Sequence, residues 1–386
     1  MKADRLTVLL SGMIAGVPGQ GGATWAVLQY LLGLRRLGHD VHFVEPLEKS
    51  AVRPAGAPLA QSVNAAYFRR VVADFGLDDS CALLLAGETE TVGVPFARLR
   101  DIARRADVLI NISGLLTDET LTARVPLRVY LDLDPAFNQL WYAAQQIDMR
   151  FDGHSHFVTI GQAIGRPGCC VPTCGRAWIT TPQPVVLTHW PAAEHLTYDG
   201  LTTIANWRGY GSIDHDGVFY GQKAHSLRQF MNLPTLTDAK FMLALAIHPD
   251  EERDLAALAR NGWRLLDPAH VAGTPAHYQR FIQESKAEFG IAKAGYITAR
   301  CGWFSDRSIC YLASGRPVIA QETGFSGFLP TGDGLFAFDT IEDALAAIDA
   351  LSRDYERHRR AARALAEEYF DSDRVLRRLL QRIGAM

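Results

Sequence analysis

Several things that would define a chain by composition alone are scarce in this sequence of 386 residues. It has six cysteines, too few and too scattered for the dense disulfide pattern of a small secreted domain, and no Cys-x-x-Cys pair of the kind that opens a structural zinc site. Charge of one sign is equally scarce. The 39 Lys and Arg against 42 Asp and Glu leave a formal net charge of −3, which excludes a blanket attraction to nucleic acid or to an anionic membrane. No apolar run reaches the roughly 20 residues of a membrane span. Residues 6–15, after Lys2 and Arg5, come nearest to a secretory signal, but they hold Ser11 and Gly12 and lead straight into a glycine turn and an amphipathic helix. No unit repeats at a fixed period, which excludes a solenoid. A cytoplasmic protein with reduced thiols and no nucleic-acid partner is the expectation.

What is present is a chain with 48% hydrophobic and 21% charged residues, long enough for two domains with separate cores. Residues 6–10 are apolar and uncharged, as a buried parallel strand requires. A turn carrying Gly16, Gly19, Gly21 and Gly22 follows, then apolar residues at helical spacing over 23–37 and a second strand at 41–44. Further strands are expected at 81–86, 108–112, 127–133 and 185–188, with helices at 64–75 and 96–105. Alternation at this pace implies a parallel sheet. Near Trp190 the composition changes and 191–195 reads as a linker. A new strand at 201–207, a polar glycine-bearing stretch, a basic helix at 224–231, a strand at 241–247 and helices at 250–261 and 276–285 make a second unit, with a turn at 266–274. The expected division is a first Rossmann-like domain over 1–195, a second over 196–365 and a closing helical segment over 366–386 that packs back on the first domain. The fold class is α/β, two tandem Rossmann-like parallel-sheet domains with a ligand cleft between them.

The most informative stretch runs from Ala299 to Gly324. Ala299-Arg300-Cys301-Gly302-Trp303-Phe304-Ser305-Asp306-Arg307-Ser308 is a polar glycine turn opening a short helix. Gly315-Arg316-Pro317 stops it, Val318-Ile319-Ala320 is a buried strand, and Gln321-Glu322-Thr323-Gly324 is a second polar turn. The stretch resembles the donor-binding segment of nucleotide-sugar-dependent glycosyltransferases of the GT-B fold. Cys301-Gly302-Trp303, Ser305, Gly315 and Pro317 match the signature of the plant natural-product enzymes, with Arg300 where that signature has His. The ribose-binding Glu of that group has no counterpart, Cys310 lying near its place. Of the two acids of the retaining enzymes, which would fall near Gly302 and Cys310, neither is present. Gly21-Gly22 resembles the glycine pair that opens the first helix of many GT-B enzymes, so the resemblance spans both halves.

The resemblance implies an enzyme that moves a sugar from a nucleoside-diphosphate sugar to an acceptor hydroxyl or amine, inverting or retaining. The departing diphosphate is an anion, so helix amino termini and cations in the cleft would stabilise it. Gly21, Gly22, Lys223, Arg300, Gly302, Ser305, Asp306 and Arg307 are the candidates for this work. Lys223 and Asp306-Arg307 read equally well as a solvated helix start and a structural ion pair. Glu322, with Thr323 and Gly324, stands where GT-B enzymes recognise the donor sugar, and residues 263–268 stand where the base is read. For acid–base chemistry the candidates are Asp132, which with Asp134 follows a strand, and His154 and His156, read as a loop facing the cleft. Segments 47–60, 115–124 and 137–146 are expected as acceptor loops, and Phe137, Trp141 and Tyr142 imply an aromatic or apolar acceptor, a small molecule or glycan.

Neither a cofactor nor a metal is expected, although Asp132-Leu133-Asp134 has the spelling of a metal site. A dinucleotide fingerprint at Gly19-Gln20-Gly21, with Glu45 as ribose ligand, lacks its third glycine at Thr24. A zinc site from His154, His156, Cys169, Cys170 and Cys174 lacks paired spacing. A sugar-nucleotide epimerase or hydrolase of the same fold, or a catalytically silent sugar-nucleotide binder, remains open beside the transferase.

Overall fold

The computed structural model describes residues 5–386. The first half of the chain lays down β1 (Thr7–Ser11), β2 (Asp40–Leu47), β3 (Cys81–Leu85), β4 (Thr91–Gly93), β5 (Val108–Ile112), β6 (Leu127–Asp132), β7 (His156–Thr159) and β8 (Trp178–Thr180). They form one sheet in the order β4-β3-β2-β1-β5-β6-β7-β8, parallel throughout except where β4 pairs with β3. In the second half β9 (Tyr198–Asn206) is followed by a small hairpin of β10 (Ile213–His215) and β11 (Val218–Tyr220). Then come β12 (Phe241–Ala246), β13 (Arg264–Leu266), β14 (Ser285–Gly290), β15 (Val318–Gln321) and β16 (Leu335–Phe338). Their order, β13-β12-β9-β14-β15-β16, is the doubly wound order with its switch point between β9 and β14. The expected two-sheet α/β class is what the chain adopts.

The central strands β3 and β5 are buried along their whole length, because helices cover both faces of a parallel sheet and leave no polar side. Other elements depart from the expectation. Residues 185–188 are not a strand; Val185 makes only a bridge to Asp371, and the sheet edge is β8. Residues 137–146, expected as an acceptor loop, fold instead as the helix Phe137–Gln145. The expected turn at 266–274 contains the helix Pro268–Ala272, capped by Asp267, whose carboxylate accepts from Ala269 N at 2.9 Å. Strand β14 escapes an apolar-run criterion because it carries Lys286 and Glu288.

The two halves are joined by close packing along the helix Gly21–Arg36. A Cβ on Gly21 would lie 2.2 Å from the carbonyl oxygen of Thr274, so this position takes glycine because the backbone of the second half presses on it. Trp25, four residues on, donates its indole N–H to Pro275 O at 2.9 Å. Farther along the same helix, Gly33 makes room for Ser372 and Leu376 of the last helix, Ser372–Arg382. That helix is tied down by Arg36 to Asp373 at 3.0 Å and by backbone bonds between Val185 and the 370–372 turn.

Before this helix, the turn after β1 is held by Glu45. Its buried carboxylate accepts from Ile14 N, Ala15 N and Gly16 N at 2.6–3.0 Å. Burial outweighs these donors and pushes the carboxyl up to about 7. Glu45 is thus an internal anchor, and the ribose role open to it in a dinucleotide site is not available.

Gly21→Ala tests the contact between the halves. Alanine is the better helix former by about 1 kcal/mol, yet crowding against the Thr274 backbone should lower the unfolding free energy by about 1–3 kcal/mol. Denaturant titration measures it, and an unchanged or raised midpoint would show that the contact yields freely.

Candidate functional site

Because both sheets are parallel, each presents its strand carboxyl ends on one edge, and loops from these edges meet between the halves. Ala163 N, in the loop after β7, donates to Cys301 O at 3.0 Å, and Gln162 N donates to Gly302 O at 3.4 Å. A Cβ on Gly302, whose φ is +70°, would lie 2.8 Å from Ala163 N. Glycine is required there twice, by its dihedral and by the approach of the other half.

The turn that holds Gly302 is fastened to the end of β15. Gly302 N donates to Thr323 O at 2.8 Å, Thr323 Oγ1 donates to Trp303 O at 2.5 Å, and a Cβ on Gly324, at φ +96°, would approach Arg300 O at 3.1 Å. Glu322 is buried, and its Oε1 accepts from Gly324 N, so it braces the turn from below. Arg300, itself at φ +46°, is exposed and makes no ion pair. Ser305 caps the helix Asp306–Ala313, its hydroxyl accepting from Arg307 N at 3.2 Å.

Cations collect behind this turn. Arg307 Nε reaches Glu288 Oε1 of β14 at 2.6 Å with Glu288 wholly buried, and Arg307 Nη1 donates to Ile204 O at 2.9 Å. Lys223, first residue of the helix Lys223–Leu227, is buried and donates from Nζ to Ile291 O. Among the described residues it has no carboxylate partner in an ion pair. Burial, reinforced by the Arg307 charge, holds its ammonium well below the usual lysine range. Asp306 is pushed up by burial, against the pull of Arg307. Beside Arg307 lies a cavity of about 10 Å³, bounded also by Ile291, Ser305 and Gln321, about the room of one water.

Lys293, three residues past β14, crosses to the other half. Its Nζ lies 3.1 Å from Asp134 Oδ2 and donates to the Tyr210 hydroxyl, while Tyr210 and Tyr296 both donate to the Asp134 carboxylate. The ammonium also sits 4.0–5.1 Å from the ring centres of Tyr210, Phe137 and Tyr296, a cation–π box around a charge. Burial lowers Lys293 against the raising pull of Asp134, and pushes both tyrosines well up. Trp303 stacks on Tyr296 at 4.4 Å.

The structure therefore brings Lys223, Ser305, Asp306 and Arg307 together and sets Gly302, Glu322, Thr323 and Gly324 beside them. It does not do so for every expected residue. Gly21 and Gly22 are pressed against Thr274 and Tyr278, a packing role. Asp132 is 0% exposed, and its oxygens accept from Asp134 N, Asn138, Gln139 and Thr159 at 2.7–2.9 Å. Burial pushes it up to about 6, and it serves to hold the Asp134 turn. His154 and His156 lie at the start of β7, the opposite end from its cleft-side Thr159; His156 is about 10 Å back along the strand. His154 accepts from Asn111 Nδ2 at 3.1 Å and donates to Phe151 O at 3.2 Å. Burial lowers it, so it is a neutral, fully partnered structural ring. Phe137 and Trp141 are spent on Tyr210 and Tyr296, leaving Tyr142 exposed.

Glu288, Lys293, Tyr210 and Tyr296 were not anticipated. Their one usable signal is the polar Gly-Ile-Ala-Lys that ends an otherwise buried strand. Among the described residues no group of three or more His, Cys, Asp or Glu could hold a metal ion.

Neither a protein-family model nor a curated protein matches the chain. Solved structures do. An alpha-glucosyltransferase in complex with UDP and a mismatch-containing 13-mer DNA is 11% identical with a TM-score of 0.59, over 98% of this chain and 99% of that one. A glycosyltransferase from Rickettsia africae is 13% identical with a TM-score of 0.55, over 99% and 98%. Anabaena HepE in complex with UDP and glucose is 11% identical with a TM-score of 0.57, over 99% and 100%. At such identities the likeness establishes the fold, GT-B over the whole chain.

The buried ion pair makes a stability prediction. Glu288→Ala strands the Arg307 charge and should cost about 3–5 kcal/mol, whereas Glu288→Leu with Arg307→Leu should cost far less. Chemical denaturation of the two proteins checks it; equal losses would mean that the pair itself, and not the unpaired charge, sets the cost.

Proposed function

We propose that this protein is a glycosyltransferase that takes a sugar from a nucleoside-diphosphate sugar, with UDP as the first nucleotide to try. The observation that carries the reading is Lys223, a buried amine with no carboxylate partner among the described residues, its protonation disfavoured by burial, beside Arg307 and the amino end of the helix Asp306–Ala313. It stands where the carboxyl edges of two sheets meet, in a fold whose similar solved structures hold UDP, UDP-glucose, or UDP and glucose.

A diphosphate at this place supplies the counter-charge that Lys223 lacks, and charge that grows on the leaving group is met by Lys223 and by the Ser305–Arg307 N–H groups. Lys293 is the second ammonium; the Asp134 clasp lends it to the donor when the clasp opens. Glu322, with Oε1 held by its own turn, offers Oε2 to a sugar hydroxyl, and the exposed Arg300 stands at the rim. Of the acid–base candidates, Asp134 alone reaches across the cleft, so the acceptor's proton goes to Asp134 or to the leaving phosphate. The acceptor is a small molecule or glycan, in keeping with the net charge of −3, and the reaction runs without an obligatory metal in a cytoplasmic setting.

Incubation with a panel of UDP-sugars and no acceptor tests the reading. Slow release of UDP points to a transferase or hydrolase, interconversion of sugars points to an epimerase, and no turnover with retained binding points to a silent binder. Binding should also take up a proton, because the depressed Lys223 regains its charge against a diphosphate. Calorimetry of UDP binding in buffers of different ionisation enthalpy should show net uptake that vanishes in Lys223→Met, with affinity in the native protein falling as pH rises. Uptake unchanged by the substitution would remove Lys223 from the phosphate site. Asp134→Asn should lower turnover by about 10²–10⁴ if it is the base, while His154→Ala should leave it nearly intact.

A further inference from the structure

Away from the nucleotide cleft, a cavity of about 510 Å³ opens between the last helix and the loop after β7. Four of its lining residues are arginines, Arg166 from the loop and Arg374, Arg378 and Arg382 from the helix, against a single acid, Glu368. The three helical arginines recur at intervals of four, so they share one face, with Val375 and Leu379 also lining the cavity, while Leu376 and Leu380 on the other side are buried. Like charges at this spacing cost an isolated helix a few tenths of a kcal/mol per pair, and among the described residues none of the four arginines has a salt bridge to offset it.

Their partners are instead backbone or ring. Arg382 Nη1 donates to Thr180 O, Arg374 Nη1 donates to Glu367 O at 3.4 Å, and the Arg166 guanidinium lies 4.6 Å from the Phe328 ring centre. These contacts aim the forks without neutralising them. Burial and the nearby Arg378 and Arg166 charges lower Arg382 below the usual arginine range, as expected where cations crowd. Gln162 also lines the cavity, and its buried Nε2 has no hydrogen-bond partner among the described residues.

We infer that this cavity binds a small phosphoryl-bearing anion at a site separate from the nucleotide cleft. Guanidinium forks match phosphoryl oxygens in pairs, and the volume is that of a small-molecule site, too small for a macromolecular groove. The loop at 161–166 divides the two places. Ala163 faces Gly302 and the cleft, while Gln162 and Arg166 line the cavity.

Calorimetric titration of the full chain with pyrophosphate, both at saturating UDP and on Lys223→Ala, reads this site with the nucleotide cleft filled or disabled. Pyrophosphate should bind in both cases. Arg378→Ala with Arg382→Ala should weaken it about 10- to 100-fold, the loss of charge-assisted pairs, and Arg378→Lys with Arg382→Lys should recover part of that. Co-sedimentation with phosphatidylglycerol vesicles, against phosphatidylcholine, identifies the source. Retention that depends on the same arginines puts the phosphoryl group on a lipid headgroup, and pyrophosphate binding without retention makes the ligand soluble. The inference is overturned if pyrophosphate affinity ignores the arginine pair, if UDP or Lys223→Ala abolishes binding, or if none is seen at millimolar concentration.

Discussion

A parallel sheet has one edge where all of its strands end, and in this protein two such edges are turned toward each other. Everything that makes a site follows from that constraint. Lys293 after β14, Glu322 to Gly324 after β15, Asp134 after β6 and Gln162 to Ala163 after β7 are distant in sequence and converge only because their strands run the same way. The same constraint excludes residues. His154 and His156 enter β7 instead of leaving it, so no rearrangement of their loop short of unpairing the strand would bring them to the cleft.

The second requirement is that charge be balanced once it is buried. Glu288 and Arg307 lie inside the second half and answer each other, with the Ile204 carbonyl taking a further guanidinium N–H. Lys293 and Asp134 do the same across the halves, helped by two tyrosine hydroxyls and three aromatic faces. Among the described residues Lys223 has only the Ile291 carbonyl. Burial disfavours the charge on an amine held this way, and an anion beside it would restore that charge and bring the missing acceptors.

The links between the halves are of a different kind at the two ends of the cleft. At Gly21 and Gly33 they are close approaches of backbone and side chains, where the cost of any added atom is steric. At the Lys293 box they are ionic and polar, and can be exchanged for contacts with a ligand. Packing therefore holds one end while the polar clasp is free to trade partners, and the loop at 161–166 sits against that exchangeable end, with the arginine-lined cavity on its far side.

The sequence by itself determined the alternation of strands and helices, the two-sheet class and the Gly302 turn with its helix and buried strand, because each depends on local periodicity and on residues whose dihedrals have few substitutes, such as Gly302 and Gly324. It also singled out Lys223, through its place after a glycine-rich stretch, and the fold buries that residue against the Ile291 carbonyl. Tertiary structure alone decided that Glu288 could hide a strand, its charge being cancelled by a residue 19 positions on. It alone decided that Phe137 and Trp141 form a helix face against Tyr210 and not an acceptor loop. Asp132 and His154 show why: a titratable side chain reads as chemistry until its neighbours are known, and these two have every lone pair or N–H engaged, by near neighbours and by the distant Thr159 and Asn111 that only the fold brings to them.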